Sequence, residues 1–293
     1  MTQVPIISGI YSDSGPALRT GYPVNIEPVP KASGISQGYL RTSEGMTQVG
    51  TGPGVCRGGI EWNGQELRVF GTSLCSVNGD VVVAIGTIEG ENPVTFDYGF
   101  DYLAISGGGN LYLYDGEALT QNTDGDLGSV LDVVWIDGYY ITTDGSFLVS
   151  TDLGNPFSVN PLKYASSEED ADPVVAVKKL GSELYAINRH TIETFTNTGG
   201  TGFPFQVIDG TQTYRGAIGT HAVTQYMGGL AFVGSGRNEQ PAVHIAASGS
   251  SAPISTAEIE SVLAEYDEGD LALTVCETRR TEYRDLLYVH LPD

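Results

Sequence analysis

Short apolar strands joined by tight polar turns recur along most of this chain. The clearest of them form five hairpins, each made of two apolar segments and a short connection. The hairpins are 66–70 with 73–79, 102–106 with 110–116, 139–142 with 147–151, 183–187 with 191–196, and 229–233 with 242–246. Their starting points lie roughly 36 to 46 residues apart, which is the spacing of the blades of a β-propeller.

Alternation within each strand places one face in the core between sheets, and in the clearest strand both faces are apolar. In segment 110–114, Leu111 and Leu113 point to one face while Tyr112 and Tyr114 point to the other. This pattern predicts sheets that pack against a neighbour on each side, as propeller blades do. We therefore predict an all-β fold, a β-propeller of about six blades.

One segment has helical spacing instead. Ser255 and Glu258 form a capping-box pattern, and apolar residues follow at intervals of three and four. The pattern predicts one short helix near 256–267, which Gly269 is expected to end.

The two ends of the chain differ from the repeat. Residues 1–50 contain five prolines, which cannot occupy central strands, so we predict an extended N-terminal arm followed by a propeller at 51–293. A last strand at 286–291 begins a sixth blade that is not finished. Either residues 1–50 complete that blade, or the chain is a fragment of something longer.

The charge balance narrows the classes of partner. The net charge is −22, with 14 Lys and Arg against 36 Asp and Glu, and such a field repels nucleic-acid phosphates. The acidity is compatible with solubility alone, with a surface past which a polyanion slides without binding, or with a basic partner.

Cysteine usage and apolar runs indicate the compartment. The three cysteines lack the spacing of a zinc site or a disulfide framework, which favours reduced thiols in a cytosolic folding environment. The longest aliphatic run, 81–85, is too short to cross a bilayer, and no signal peptide is visible at the N-terminus.

The search for catalytic and metal-binding motifs finds little. A nucleophile elbow, a P-loop and a zinc-protease motif are all missing. Segment 122–126 offers side-chain oxygens at alternating positions, but Leu127 stands where a calcium loop needs glycine, and no glutamate closes the site. Segment 150–157 resembles the Asp-box, a turn-forming device of sialidases and related propellers in which Ser and Asp bind backbone donors. We predict no catalytic, cofactor-binding or metal-binding residues.

The order of several further segments resembles the packaged-DNA stabilisation proteins, tail hub accessory factors of lambdoid short-tailed phages of Salmonella and their relatives. The resemblance covers nearly the whole chain, and the departure is at its end, since family members continue past residues 290–292. The matching segments are 21–28, 38–46, 151–153, 163–173, 191–199, 252–260, 277–279 and 290–292.

The resemblance implies a structural role in the virion tail and no catalysis. Such proteins assemble, with six copies implied, below the portal and its adaptor ring, where they extend the DNA channel and help to retain packaged DNA. Their implied partners are further copies of the chain, the portal-adaptor ring, the tail needle or plug, and the tailspike. DNA would pass through the lumen without sequence-specific binding, and the chain would fold in the host cytoplasm without contacting a membrane.

The arm and an acidic run supply the candidate assembly contacts. Arm residues suit contacts between subunits, and the acidic run at 166–172 suits a basic partner. The candidate residues are Tyr22, Pro23, Asn25, Tyr39, Leu40, Arg41, Glu168, Glu169 and Asp170. The alternatives are a generic propeller scaffold that binds cellular proteins, and a sialidase-like glycosidase, which would need three arginines converging on a carboxylate.

Overall fold

A computed structural model describes residues 25–30, 38–43, 45–167, 172–280 and 285–292. The chain divides into two compact units: residues 1–49 with 256–258, and residues 50–255 with 259–293. In the smaller unit, β1 (Ile26–Pro30) and β2 (Gly38–Thr42) form an antiparallel hairpin in which Pro28 lies opposite Leu40.

The larger unit is a succession of antiparallel sheets, and in the first four the strands pair in chain order from one edge to the other. The first sheet contains β3 (Cys56–Trp62), β4 (Gln65–Phe70), β5 (Ser73–Asn78) and β6 (Val81–Thr87). The second contains β7 (Thr95–Tyr98), β8 (Leu103–Gly107), β9 (Asn110–Tyr114) and β10 (Leu119–Gln121). The third contains β11 (Asp132–Ile136), β12 (Tyr139–Thr143), β13 (Phe147–Asp152) and β14 (Asn155–Ser166).

The remaining sheets continue the series. The fourth contains β15 (Val174–Leu180), β16 (Glu183–Asn188), β17 (Ile192–Asn197) and β18 (Phe205–Val207). The fifth contains β19 (Gly216–Ala217), β20 (Val223–Tyr226), β21 (Gly229–Ser235), β22 (Ala242–Ala247) and β23 (Ser250–Pro253), and both β19 and β20 pair with β21. The sixth contains β24 (Val275–Arg280) and β25 (Asp285–His290).

The five predicted hairpins are the middle pairs of strands of the first five sheets. For example, β8 and β9 pair from Leu103 opposite Tyr114 to Gly107 opposite Asn110. The all-β architecture of successive small antiparallel sheets confirms the predicted fold class.

The helical segment differs in detail from its prediction. α1 (Ala257–Leu263) ends earlier than expected, and a second helix, α2 (Glu268–Leu271), follows it. Gly269 lies inside α2, so the prediction that it ends the helix is wrong. The physical reason is that Asp267 caps α2 by accepting a hydrogen bond from the Asp270 N–H, which starts a new helix at this point.

The apolar core lies between successive sheets, as the two-faced strands predict. Tyr112 and Tyr114 of β9 belong to the core shared with the first sheet. Leu111 and Leu113 of the same strand belong to the core shared with the third sheet. β9 is buried on both faces, and a fully buried leucine in it, such as Leu111, contributes about 2 kcal/mol to stability.

Candidate assembly surfaces and inner-strand ion pairs

Asp132 on β11 joins the third sheet to the fourth. Its side chain is fully buried, and Oδ2 accepts hydrogen bonds from the Val177 backbone N–H (2.9 Å) and from Lys178 Nζ (2.7 Å), both on β15. A buried carboxylate is tolerated only when it is paired and hydrogen-bonded, and this one is both. Asp132 therefore fixes the position of one inner strand against the next.

Asp97 on β7 repeats this arrangement one sheet earlier. Its Oδ2 accepts hydrogen bonds from the Trp135 backbone N–H (2.6 Å) and from Lys179 Nζ (2.8 Å). The lysine also donates to the Trp135 carbonyl (2.8 Å) and lies 5.5 Å from the centroid of the indole ring. Two aspartates and two lysines thus neutralise each other while they connect three sheets.

Arg57 on β3 holds the first sheet to its loops. The guanidinium is buried and donates hydrogen bonds to the carbonyls of Asn92 (2.6 Å), Gly71 (2.8 Å), Glu89 (2.9 Å) and Ile88 (3.1 Å). Burial lowers the pKa of Arg57 from its usual value. The fork of donors satisfies four carbonyls at once, so this arginine has a structural role.

None of these five charged residues was among the sequence candidates. The one signal that could have found them is a charged residue within an apolar strand pattern, as in Asp132-Val-Val-Trp-Ile. That signal does not identify the partner, because the partner lies on another sheet.

Two histidines, His244 buried and His221 partly buried, should make stability depend on pH. Burial is the main cause that lowers the pKa of His244, which stacks on Phe232 with ring centroids 5.3 Å apart, and nearby Arg215 adds to the effect. Burial likewise lowers the pKa of His221. The unfolded chain, whose histidine pKa is about 6.5, therefore binds protons first as the pH falls.

We accordingly expect the folded state to be most stable above pH 6.5 and to lose stability as the pH falls from there toward the lowered histidine pKa values. Urea unfolding midpoints measured between pH 7 and pH 5 check this expectation. The variant His244→Phe should make the unfolding midpoint depend less steeply on pH, because it removes one of the two histidines with a lowered pKa. If the midpoint of that variant changes with pH as steeply as that of the unchanged chain, His244 does not contribute to the pH dependence.

The structure brings four of the candidate assembly residues together in the β1–β2 hairpin. Tyr39 and Leu40 are 52% and 40% exposed, and Arg41 is exposed on the same strand. Asn25 precedes β1, with a positive φ of 56°, and its carbonyl accepts a hydrogen bond from the Ser43 N–H (2.9 Å). Successive strand residues point to opposite faces, so both faces of the hairpin present an apolar side chain.

The other five candidate residues lie outside the described residues. They are Tyr22, Pro23, Glu168, Glu169 and Asp170. The described neighbours of the acidic run are Ser167, which accepts a hydrogen bond from the Asn188 side chain (2.7 Å), and Asp172, which accepts one from the His190 N–H (2.6 Å). The contact role of the run stays a prediction.

The glycosidase alternative would need three arginines that converge on one carboxylate. Arg57 and Arg68 lie on neighbouring strands of the first sheet and Arg215 lies just before β19, and each of the three is engaged by partners of its own. In the Asp-box-like turn, Asp152 accepts hydrogen bonds from Ser158 Oγ and Lys163 Nζ, both 2.8 Å away. The expectation that this aspartate binds backbone donors is wrong, because two side-chain donors lie within its reach.

Metal-binding clusters and membrane-spanning helices are both absent from the described ranges. No three His, Cys, Asp or Glu side chains there lie close enough to share a metal ion. No helix in the same ranges is long and apolar enough to cross a membrane.

Comparison with known proteins identifies relatives over the full length of the chain. A family model described as "Bacteriophage P22 Gp10, beta-propeller" matches residues 2–293. The tail hub protein gp10 of Salmonella phage P22 is 31% identical over 314 aligned residues, which cover 99% of this chain and 65% of the relative. The chain therefore spans about two thirds of the length of that relative.

Solved structures show weaker likenesses. The extracellular domain of the BT4673 two-component system of B. thetaiotaomicron is 12% identical, with a TM-score of 0.46, over 69% of this chain and 28% of that one. Kluyveromyces lactis Hsv2 is 9% identical, with a TM-score of 0.38, over 88% of this chain and 76% of that one. These likenesses add nothing to the family match.

Proposed function

The chain belongs to the phage P22 Gp10 β-propeller family, and from this premise we propose that it is a structural component of a short-tailed phage tail. The family consists of structural tail proteins and not of enzymes, which confirms the prediction that the chain is not an enzyme. The observation that carries the proposal is the match over residues 2–293.

In this proposal, six copies form a ring below the portal and its adaptor, extend the DNA channel and help to retain packaged DNA. The ring contacts the adaptor on one side and presents surfaces to the needle or plug and to the tailspike. The net charge of −22 supports a channel wall that DNA passes without binding, because the carboxylates of Asp and Glu repel the phosphates of DNA. The pairs Lys178–Asp132 and Lys179–Asp97 are each neutral as a whole, so the other charged groups carry the net charge of −22.

Residues 1–50 act in this proposal as an assembly arm, separate from the propeller at 51–293. A two-stranded hairpin is marginally stable by itself, and β1–β2 exposes apolar side chains on both faces. Burial of these side chains against a neighbouring subunit would stabilise the hairpin and the ring together.

The mass of the purified chain, measured with and without the portal–adaptor complex, tests the proposal. We expect copies to add to the complex in the stoichiometry of a ring. A chain that stays monomeric and adds no copies to the complex would contradict the proposal and favour the generic propeller scaffold.

The double substitution Tyr39→Ser and Leu40→Ser should weaken binding to the portal–adaptor complex by about tenfold or more. It removes two exposed apolar side chains from the arm, and tenfold corresponds to about 1.4 kcal/mol of binding energy. Titration followed by light scattering measures the effect.

Leu153→Ser is the matched control, because Leu153 is also exposed but lies at a turn of the third sheet. If the arm variant binds the portal–adaptor complex as tightly as the unchanged chain does, the arm is not part of the interface.

A further inference from the structure

Two turns at one end of the first sheet contain an asparagine followed by a glycine. Asn63 and Gly64 are the two residues of the turn between β3 and β4, and both have a positive φ, 52° and 73°. Asn78 ends β5, and Gly79, with a φ of 62°, begins the turn into β6. Because β3 and β5 run in the same direction, the two turns lie at the same end of the sheet.

Both asparagine side chains are exposed and free to react. Within the described residues, neither amide makes a hydrogen bond, and the N–H groups of Gly64 and Gly79 donate none. A Cβ added to either glycine would meet no atom within 4 Å. The glycine nitrogen can therefore approach the preceding side chain without obstruction.

The other asparagines of the chain lack this combination. Asn25 precedes a β-branched residue, Ile26. Three others precede proline, which has no N–H, and four hold their side chains in hydrogen bonds. The three before proline are Asn92, Asn155 and Asn160, and the four with bonded side chains are Asn110, Asn122, Asn188 and Asn197.

Asn238 is the closest match to Asn63 in conformation. It is exposed and has a positive φ of 60°. The residue that follows is Glu239, whose side chain restricts the backbone and whose N–H donates a hydrogen bond to the Gly236 carbonyl (3.3 Å). Asn238 is therefore an internal control for the effect of the following glycine.

We propose that Asn63 and Asn78 are deamidation sites of the folded chain. The backbone nitrogen of the following glycine attacks the asparagine Cγ and forms a C–N bond. The amide nitrogen leaves as ammonia and takes the proton of the glycine N–H, so that a cyclic succinimide remains. Water then opens the ring at one of its two carbonyls and gives aspartate or isoaspartate.

The products change both the charge and the geometry of these turns. Each reaction replaces a neutral amide by a carboxylate at the same end of the first sheet, in a chain that is already acidic. Isoaspartate also lengthens the backbone by a methylene group. In the β3–β4 turn this alters a two-residue loop whose flanking residues, Trp62 and Gln65, are paired.

Ageing of the purified, folded chain at mildly alkaline pH and physiological temperature tests the proposal. Ammonia release gives the total reaction, and peptide mapping by mass spectrometry, with an isoaspartate methyltransferase as probe, locates the products. We expect the amide to be lost at Asn63 and at Asn78. By the time that either has lost half of its amide, Asn238 should have lost at most a trace. Aspartates before glycine form isoaspartate by the same route but release no ammonia, so ammonia and mass distinguish the two.

The double variant Asn63→Gly with Asn78→Gln supplies the matched comparison. Glycine tolerates the positive φ at position 63, and glutamine at position 78 would need a larger ring that closes more slowly. Its ammonia release should fall to a trace of that of the unchanged chain.

Three results would overturn the proposal. The first is retention of both amides in the aged, folded chain. The second is loss of the amide at Asn238 as fast as at Asn63 and Asn78. The third is loss at these two sites only after unfolding in urea, because the folded turns would then protect the asparagines.

Discussion

Asp132→Ala is expected to lower the free energy of unfolding by about 3 kcal/mol, the lower end of the range for breaking a buried ion pair, because Asp132 is fully buried while Lys178 is 22% exposed. The substitution leaves the Lys178 ammonium without its carboxylate and the Val177 N–H without an acceptor. Because these contacts join the third sheet to the fourth, the loss should also weaken the packing of the inner strands. Urea unfolding followed by fluorescence measures the change.

Glu66→Ala is the control for this prediction. Glu66 also pairs with a basic residue, Arg68, but both side chains are about half exposed, so the loss should be at most about 1 kcal/mol. The double variant Asp132→Leu with Lys178→Met should recover at least half of the loss, since it removes the uncompensated charge. A loss in Asp132→Ala no larger than that in Glu66→Ala would show that the buried pair does not hold the sheets.

Arg57→Ala should cost about 3 kcal/mol or more of unfolding free energy. It removes the donors of four carbonyls, those of Gly71, Ile88, Glu89 and Asn92, and a buried acceptor left without a partner costs about 1–3 kcal/mol. Some of these carbonyls will be reached by water, so the costs do not simply add. Thermal and urea unfolding of the variant check the value.

Arg57→Lys separates the role of charge from the role of geometry. A lysine keeps the charge but has no planar fork, so it should recover at most about half of the loss. If Arg57→Lys were as stable as the unchanged chain, a single cation at this place would suffice, and the explanation based on four simultaneous hydrogen bonds would be wrong.

The sequence predicted the middle of each sheet better than its edges. Strands such as β9 are buried on both faces, so their apolar pattern is continuous and visible. Inner strands were missed where they carry charge, as in β15 with Lys178 and Lys179, and outer strands were missed where they are short, as in β10. These inner and outer strands take their place in the sheet by pairing with the middle hairpin, so their own sequence shows them less clearly.

The assembly role of the candidate residues stays a prediction, and the structure shows only where the described ones lie. Tyr39 and Leu40 stand out in the sequence as apolar residues in a proline-rich arm, and the structure places them in an exposed hairpin. The groove beside β25 could not be predicted, because Ile254, Val262 and Leu287 come from three separate elements. Only the packing of α1 against the last two sheets brings them together.

By itself, the sequence determined the repeated hairpins, the all-β class and, through its ordered motifs, the family. Local alternation and turn residues suffice for these, because each hairpin is encoded by neighbouring residues. The tertiary structure alone decided which charges meet and which side chains share a groove. Asp132 meets Lys178 across 46 positions of sequence, and Ile254, Val262 and Leu287 line one groove from three separate elements. Both depend on contacts between distant segments, which local patterns do not encode.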